Sequence, residues 1–486
     1  MQKFISKYAL AAHLALLAVA PLFLSPLVGE GTVATVLLWL SPLAAVWVLL
    51  EPSRRADEML HDARVRVASL IASDPLFWFL LLAVVLAGVR ALNDGVKMAY
   101  DAETFKWFLR EPPLVFLPGA VPGAGRLPFA ATVALTVVVL GCRHALGKSA
   151  RVAFVFSCTV FAGAAALTAM ALCAFGHPGA RAAVAMTVTP QNASFAGTAF
   201  GLHFLGGLAG LVGAYENKWG SRIFFYSLAL GAVAAGLYFF APVPVILLYL
   251  AAALVLLAVS LVYIAVVRGR NMAFKCVASL VLAALVPTLA AFAFAPAGLN
   301  EDRLAILGDG WTFFPDGFAA ARDILSAIAA QTFRDHPWIG TGLGSFPLDI
   351  KFGAAAADWR VLAPGQASAL NGWWQLTAER GIVGALLFAG ALGFLAATFF
   401  RRLAACFGRR FFVPLCVLGP VALLAAAAEA FFDISFLRAD ALLALAAFAA
   451  LAGRALPAVP RPAAAPPAAA DGTPDHTQQQ ESSGHV

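Results

Sequence analysis

The chain has 486 residues, 62% of them hydrophobic and 12% charged, with a mean hydropathy of +0.85 and a formal net charge of +7. Soluble domains are nearer half apolar and a quarter charged, so this composition excludes a disordered chain, a coiled coil and an ordinary cytosolic enzyme. Nucleic acid is not an expected partner, because the basic residues sit in short connections between apolar runs rather than on one face or tail.

A helix needs about 20 mostly apolar residues to cross the hydrocarbon core. In chain order such runs occupy 8–28, 32–50, 76–92, 127–142, 152–174, 195–215, 223–240, 243–267 and 276–296. After a long polar segment come 381–400, 411–428 and 436–453. The expected fold is therefore all-α, a polytopic membrane helix bundle of about 12 transmembrane helices. Helices 1–9 fall within 1–296, with an outer loop at 93–126. A large outer loop at 297–380 precedes helices 10–12 within 381–453, and 454–486 reads as a disordered cytoplasmic tail of Ala-Pro repeats and glutamines. Lys3, Lys7 and Ala18-Val19-Ala20 imitate a signal peptide, but the apolar run is longer than a signal core and Pro21 follows the would-be cleavage site, so a retained helix is expected.

Basic residues set the orientation. Lys3 and Lys7 fall on one side, with Arg54, Arg55, Arg64, Arg66, Arg143, Lys148, Arg151, Lys218 and Arg222. Arg268, Arg270, Lys275, Arg401, Arg402, Arg409, Arg410, Arg454 and Arg461 complete that side, making 20 of the 33 basic residues, in every second connection. The short loops opposite carry only Arg181 and Arg438. Both termini are thus expected in the cytoplasm. The six cysteines lie in or beside apolar runs, without a CxxC or a His/Cys cluster, and read as packing residues; no metal is expected. His13 and His203, single histidines in apolar helices, read as packing residues too.

The segment 317–350 is GFAAARDILSAIAAQTFRDHPWIGTGLGSFPLDI. Ala321, Ile324, Leu325, Ile328 and Thr332 recur at helical spacing, which predicts an amphipathic helix on the membrane surface or the bundle. It should stop at His336-Pro337, since proline disfavours helix in the residue before it. Gly340, Gly342 and Gly344 then supply a backbone able to turn tightly and approach a ligand. No strand-glycine-helix unit surrounds them, which excludes a dinucleotide or P-loop reading.

Arg322, then Pro337 and Gly340-Thr341-Gly342-Leu343-Gly344-Ser345-Phe346, resembles the signature of the O-antigen ligase and polymerase superfamily. Downstream, Asn371-Gly372-Trp373-Trp374-Gln375-Leu376-Thr377-Ala378-Glu379-Arg380-Gly381 resembles that family's histidine-asparagine motif. Weaker echoes are Arg181 with Thr187 to Ala196, and Phe432-Asp433-Ile434. The resemblance implies about twelve spans in a bacterial inner membrane with a large periplasmic loop before the tenth. It also implies a glycosyltransferase of polysaccharide or lipopolysaccharide biosynthesis that works without metal or cofactor. The donor would be a polyprenyl diphosphate-linked glycan and the acceptor a lipid A-core or another glycan. One departure matters: Leu370 stands where the family carries the histidine thought to be its base.

Arginine suits a leaving diphosphate, because its planar fork holds phosphate oxygens in pairs and keeps its charge. The resemblance assigns that role to Arg181 and Arg322, which would converge on one diphosphate. The bland alternative is snorkelling to headgroups; the spacing to Pro337 tilts Arg322 towards function, and for Arg181 the two readings are even. His336 and Glu379 are the candidates for acid–base work. Against them stand a turn histidine bonded to backbone and a structural ion pair with Arg380. Pro337, Gly340, Gly342, Gly344 and Asn371 would support the loop. Alternatives to a ligase are a polymerase of the same superfamily, a carrier-lipid-binding protein disabled at Leu370, and a twelve-span secondary transporter. The absence of an internal repeat disfavours the transporter.

Overall fold

The computed structural model describes residues 2–24, 30–50, 71–93, 97–101, 106–110, 125–146, 148–177, 197–216, 220–293, 295, 299–300, 318–342, 344–355, 358, 361–362, 368–405, 413–433 and 437–455. The first nine helices are α1 (Gln2–Leu24), α2 (Glu30–Leu50), α3 (Pro75–Leu92), α4 (Arg126–Leu140), α5 (Lys148–Ala174), α6 (Gly197–Glu216), α7 (Gly220–Phe240), α8 (Val243–Arg268) and α9 (Arg270–Ala293). Then follow α10 (Phe318–Asp335), α11 (Phe346–Gly353), α12 (Gly372–Ala405), α13 (Val413–Glu429) and α14 (Ala439–Ala455). Among the described residues nine helices are long and apolar enough to cross a membrane, and three shorter apolar helices accompany them. The architecture is an α-helical membrane bundle. Among the described residues the one departure from all-helix is a hairpin in the 93–126 loop, β1 (Lys97–Asp101) and β2 (Lys106–Arg110), antiparallel with Lys97 opposite Arg110 and Asp101 opposite Lys106.

α6 is the centre, buried along the whole of Gly197–Tyr215. Its glycines let neighbours press against backbone: a Cβ at Gly201 would strike the Tyr249 ring, at Gly206 Phe448, at Gly210 Tyr226. Small residues bring membrane helices close where lipid gives no hydrophobic drive for association. α1 is integral to this core, packing against α5 with Leu10, Leu14, Leu17 and Leu22 buried.

Polar links between helices gather at the two ends of the bundle. At one end the buried Asp74 caps α3 by accepting from the Leu76 N–H (3.1 Å). It also binds the Arg143 guanidinium and His144 Nε2 (2.8 Å), both in a single π-helical turn, Gly141–Ala145, that closes α4. The Arg143 guanidinium in turn stacks over Phe394 of α12, 5.3 Å from the ring centre. At the opposite end, called the loop end below, α10 and α11 pack on the start of α12. Phe318, Ala321, Leu325, Ile328 and Ala329 of α10 form a second core with Phe346, Ile350, Leu370 and Ala378. Burying a Leu, Ile or Phe side chain contributes about 1.5–3 kcal/mol, which holds an 18-residue helix that would be marginal alone in water.

The expected border between loop and tenth span, at 380 and 381, falls inside α12. The helix begins nine residues earlier because Asn371 Oδ1 accepts from the Trp373 and Trp374 N–H groups (3.1 and 3.2 Å), a side-chain cap. Hydropathy misses this first stretch because it carries Gln375, Thr377, Glu379 and Arg380. Residues 456–486, and with them most of the expected tail, lie outside the described residues, as does Cys406.

Candidate functional site

α12 is broken at Gly381, whose backbone (φ 61°, ψ −171°) is not helical. A break there frees the carbonyls of Ala378 and Glu379 and the N–H groups of Ile382 and Val383, which an unbroken helix would pair with one another. Residues 337–342 fill the gap. Thr341 N–H donates to Ala378 O and Gly342 N–H to Glu379 O, each 3.0 Å, while Ile382 N–H donates to Pro337 O (2.8 Å) and Val383 N–H to Trp338 O (3.1 Å). The turn is stitched into the helix ladder. A buried backbone group left unpaired costs free energy comparable to a lost hydrogen bond, so the four exchanged bonds remove that penalty.

The glycines follow from this stitch. Gly340 (φ 66°) and Gly381 lie backbone to backbone: a Cβ on Gly340 would sit 2.4–2.6 Å from Glu379 C, Ala378 O and Arg380 N. A Cβ on Gly381 would sit 2.5 Å from Gly340 N, Ile339 N and Trp338 C. Gly340 was expected to let the backbone turn tightly and approach a ligand; its φ is positive, and what lies against it among the described residues is α12. Gly342 and Gly344 also have positive φ (115° and 72°). Gly342 carries one of the four stitching bonds, and the Gly344 N–H donates to the Glu379 carboxylate.

Arg90, near the end of α3, locks the stitch. Its side chain is buried, and it donates through Nη1 to Glu379 O (3.2 Å) and through Nη2 to Ile339 O. Sequence reading missed Arg90, although a lone arginine inside an apolar run is a signal in itself.

Glu379 is buried and accepts from Gln375 Nε2 (3.0 Å) as well as from Gly344. Among the described residues it makes no close ion pair with Arg380, though each feels the other's charge: adjacent helix residues do not face each other, so Glu379 turns into the loop and Arg380 into a groove between α3 and α12. The Glu379 carboxylate thereby ties Gly344 of the turn to α12. Asp349 of α11 accepts from the Thr341 hydroxyl (3.0 Å) and more weakly from Ser345 (3.5 Å). Burial lifts the Asp349 carboxyl above the ordinary carboxylate value, with Thr341, Ser345 and the neighbouring His336 pulling it back. His336 is exposed, and its backbone N–H closes α10 on Thr332 O (3.0 Å). The histidine thus has both a turn role through its backbone and a solvent-facing ring within electrostatic reach of Asp349.

Arg322 lies on α10 with its side chain 40% exposed, 3.8 Å from the Asp323 carboxylate. Arg181, and Thr187 to Ala196 with it, lie outside the described residues, so the expected convergence of Arg181 on Arg322 is not described. Leu370 is buried in the second core in a left-handed conformation (φ 49°) rare for leucine. Asn371 is the cap of α12, and the N–H of Gly372 is held by Ala430 O (2.8 Å) and Asp433 O (2.9 Å).

At the end of α13 Glu429 is fully buried, as expected of an acid facing other helices. Thr198 Oγ1 donates to its Oε1 and Tyr249 OH to its Oε2 (3.0 Å). Arg438, expected as its partner, lies within electrostatic reach of it and also pairs with Asp440 (3.0 Å). His203 packs edge-on to Phe448, with neither ring nitrogen hydrogen-bonded among the described residues. Three or more His, Cys, Asp or Glu residues grouped to hold a metal are not found among the described residues. No protein-family model and no curated protein matches the chain.

Proposed function

We propose that this chain is a membrane glycosyltransferase resembling O-antigen ligases, moving a glycan from a polyprenyl diphosphate carrier to a lipid A-core or glycan acceptor. In this reading twelve helices cross a bacterial inner membrane, both termini are cytoplasmic, and the loop end faces the periplasm. The observation that carries it is the stitch. Both halves of the resembling motif, around Gly340 and around Asn371–Gly381, form one backbone unit at one end of the bundle. The exposed His336 stands beside Asp349 on that unit.

The acceptor oxygen attacks the anomeric carbon of the donor, and the bond from that carbon to the diphosphate oxygen breaks with its electron pair. His336 takes the acceptor proton, and the Asp349 carboxylate steadies the imidazolium that results. Arg322, with Arg181, neutralises the departing diphosphate. A positioned base is worth about 10²–10⁴-fold in rate, so His336→Ala should slow transfer by that factor. Arg322→Ala should also slow it. The assay is glycan transfer by purified full-length protein from a synthetic lipid-linked donor to a panel of acceptors, which also separates ligase from polymerase. Wild-type rates in both variants would overturn the proposal.

The burial of Leu370 favours a second reading, a carrier-binding protein without turnover. It predicts donor binding and no transfer to any acceptor in the same assay.

A further inference from the structure

α3 and α12 touch only lightly, and α4 and α14 close the back of the groove between them. Its wall is apolar along its length, through Leu80, Ala83, Leu387, Ala391 and Leu395, and two arginines, Arg90 and Arg380, stand at its head. From Leu76 to Arg90 the α3 wall rises about 21 Å at 1.5 Å per residue. The flanks are open: Phe79 is 37%, Leu82 53% and Leu386 64% exposed. In a bilayer those side chains meet lipid tails, so whatever fills the groove arrives sideways from the membrane.

Charge selects the occupant. Arg90 is 1% exposed, yet its Nε has no hydrogen-bond partner among the described residues, and neither has the Nε of Arg380. The two guanidiniums repel each other, and among the described residues the single carboxylate within electrostatic reach, Glu379, is already engaged by Gly344 and Gln375. At least one buried positive charge is left uncompensated, a state that costs several kcal/mol unless an anion completes it. Guanidinium recognises phosphate oxygens in its own plane.

We infer that this groove binds one anionic glycerophospholipid, its phosphodiester on Arg90 and Arg380 and an acyl chain along the wall of α3 and α12. A phosphodiester carries one negative charge, matching the excess, and its tails match the apolar walls. The inference is independent of glycan transfer, since it concerns a different face of α12 and is read by binding alone.

The test titrates the full-length protein in detergent with dioleoylphosphatidylglycerol, counting bound lipid by native mass spectrometry and following unfolding by tryptophan fluorescence. One saturable lipid that delays unfolding is expected. Arg380→Gln should weaken it by about tenfold or more, the scale of a hydrogen bond to a charged group. Ala391→Trp, which fills the groove and leaves both arginines in place, should weaken it too, so the inference stays testable if Arg380→Gln does not fold. Equal binding of phosphatidylcholine would overturn the inference, as would equal protection by inorganic phosphate alone. Tighter capture of an isoprenyl phosphate, or unchanged binding in both variants, would overturn it as well.

Discussion

At Gly340 a methyl group would stand 2.4 Å from the Glu379 carbonyl carbon, and the backbone angle already lies at +66°. A non-glycine residue forced into such a conformation costs about 1–3 kcal/mol before any clash is counted. Gly393 of α12 has nothing within 4 Å of its missing Cβ. Gly340→Ala should therefore lower the thermal unfolding midpoint in detergent, by a cost of about 2 kcal/mol or more. Gly393→Ala should leave the midpoint unchanged or raise it by up to about 1 kcal/mol, the helix-propensity difference. Equal effects from the two would mean that the stitch contributes nothing to stability. The importance of Gly340 was legible from spacing alone, but its reason was not, because the partner backbone lies at Gly381, beyond any local pattern. Asp349 gave no sequence signal, since its neighbours Thr341 and His336 reach it only once the turn is folded back.

Among the helices, the tie between α3 and α4 rests on Asp74. Burial by itself raises that carboxyl, but the hydrogen bond from His144, the Arg143 charge and the Leu76 N–H outweigh it and hold the group below its ordinary value of 3.8. A carboxyl depressed in the folded state adds stability that is present above the unfolded value and lost as pH falls through the folded one. The unfolding midpoint should therefore drop as pH is lowered below about 4, and Asp74→Asn should flatten that part of the profile. At neutral pH the same variant strands the buried Arg143 and should cost about 3–5 kcal/mol. Unfolding scans of both proteins across pH test this. The helices themselves were readable from apolar runs, and α10 from its period. The start of α12 was not, because an asparagine cap and nine polar-rich residues lie outside what a hydropathy window sees.

On the scale of the molecule, side-chain links join helix ends in the pattern that successive crossings demand. Tyr215, ending α6, meets Ser279 in the first half of α9, and Tyr226, near the start of α7, reaches Val152 near the start of α5. Glu429, ending α13, meets Thr198 at the start of α6 and Tyr249 near the start of α8. Twelve crossings with cytoplasmic termini would place residues 55, 148, 218, 269 and 408 on one face and 95, 181 and 301 on the other. Single-cysteine labelling in intact cells from a cysteine-free parent should divide the positions in that way, and one break in the alternation would remove a crossing. The apolar helices were legible because hydropathy is counted residue by residue, whereas the groove at Arg90 and Arg380 needed two helices brought side by side. The stitch also governs the order of assembly. Residues 337–342 leave the ribosome before 378–383 exist, so the turn must wait without a template, and α12 in turn emerges with a gap in its own ladder. Neither piece is finished until both are, which makes closure at this end a joint late event and leaves any chain cut short of Val383 with a turn that has nothing to bind.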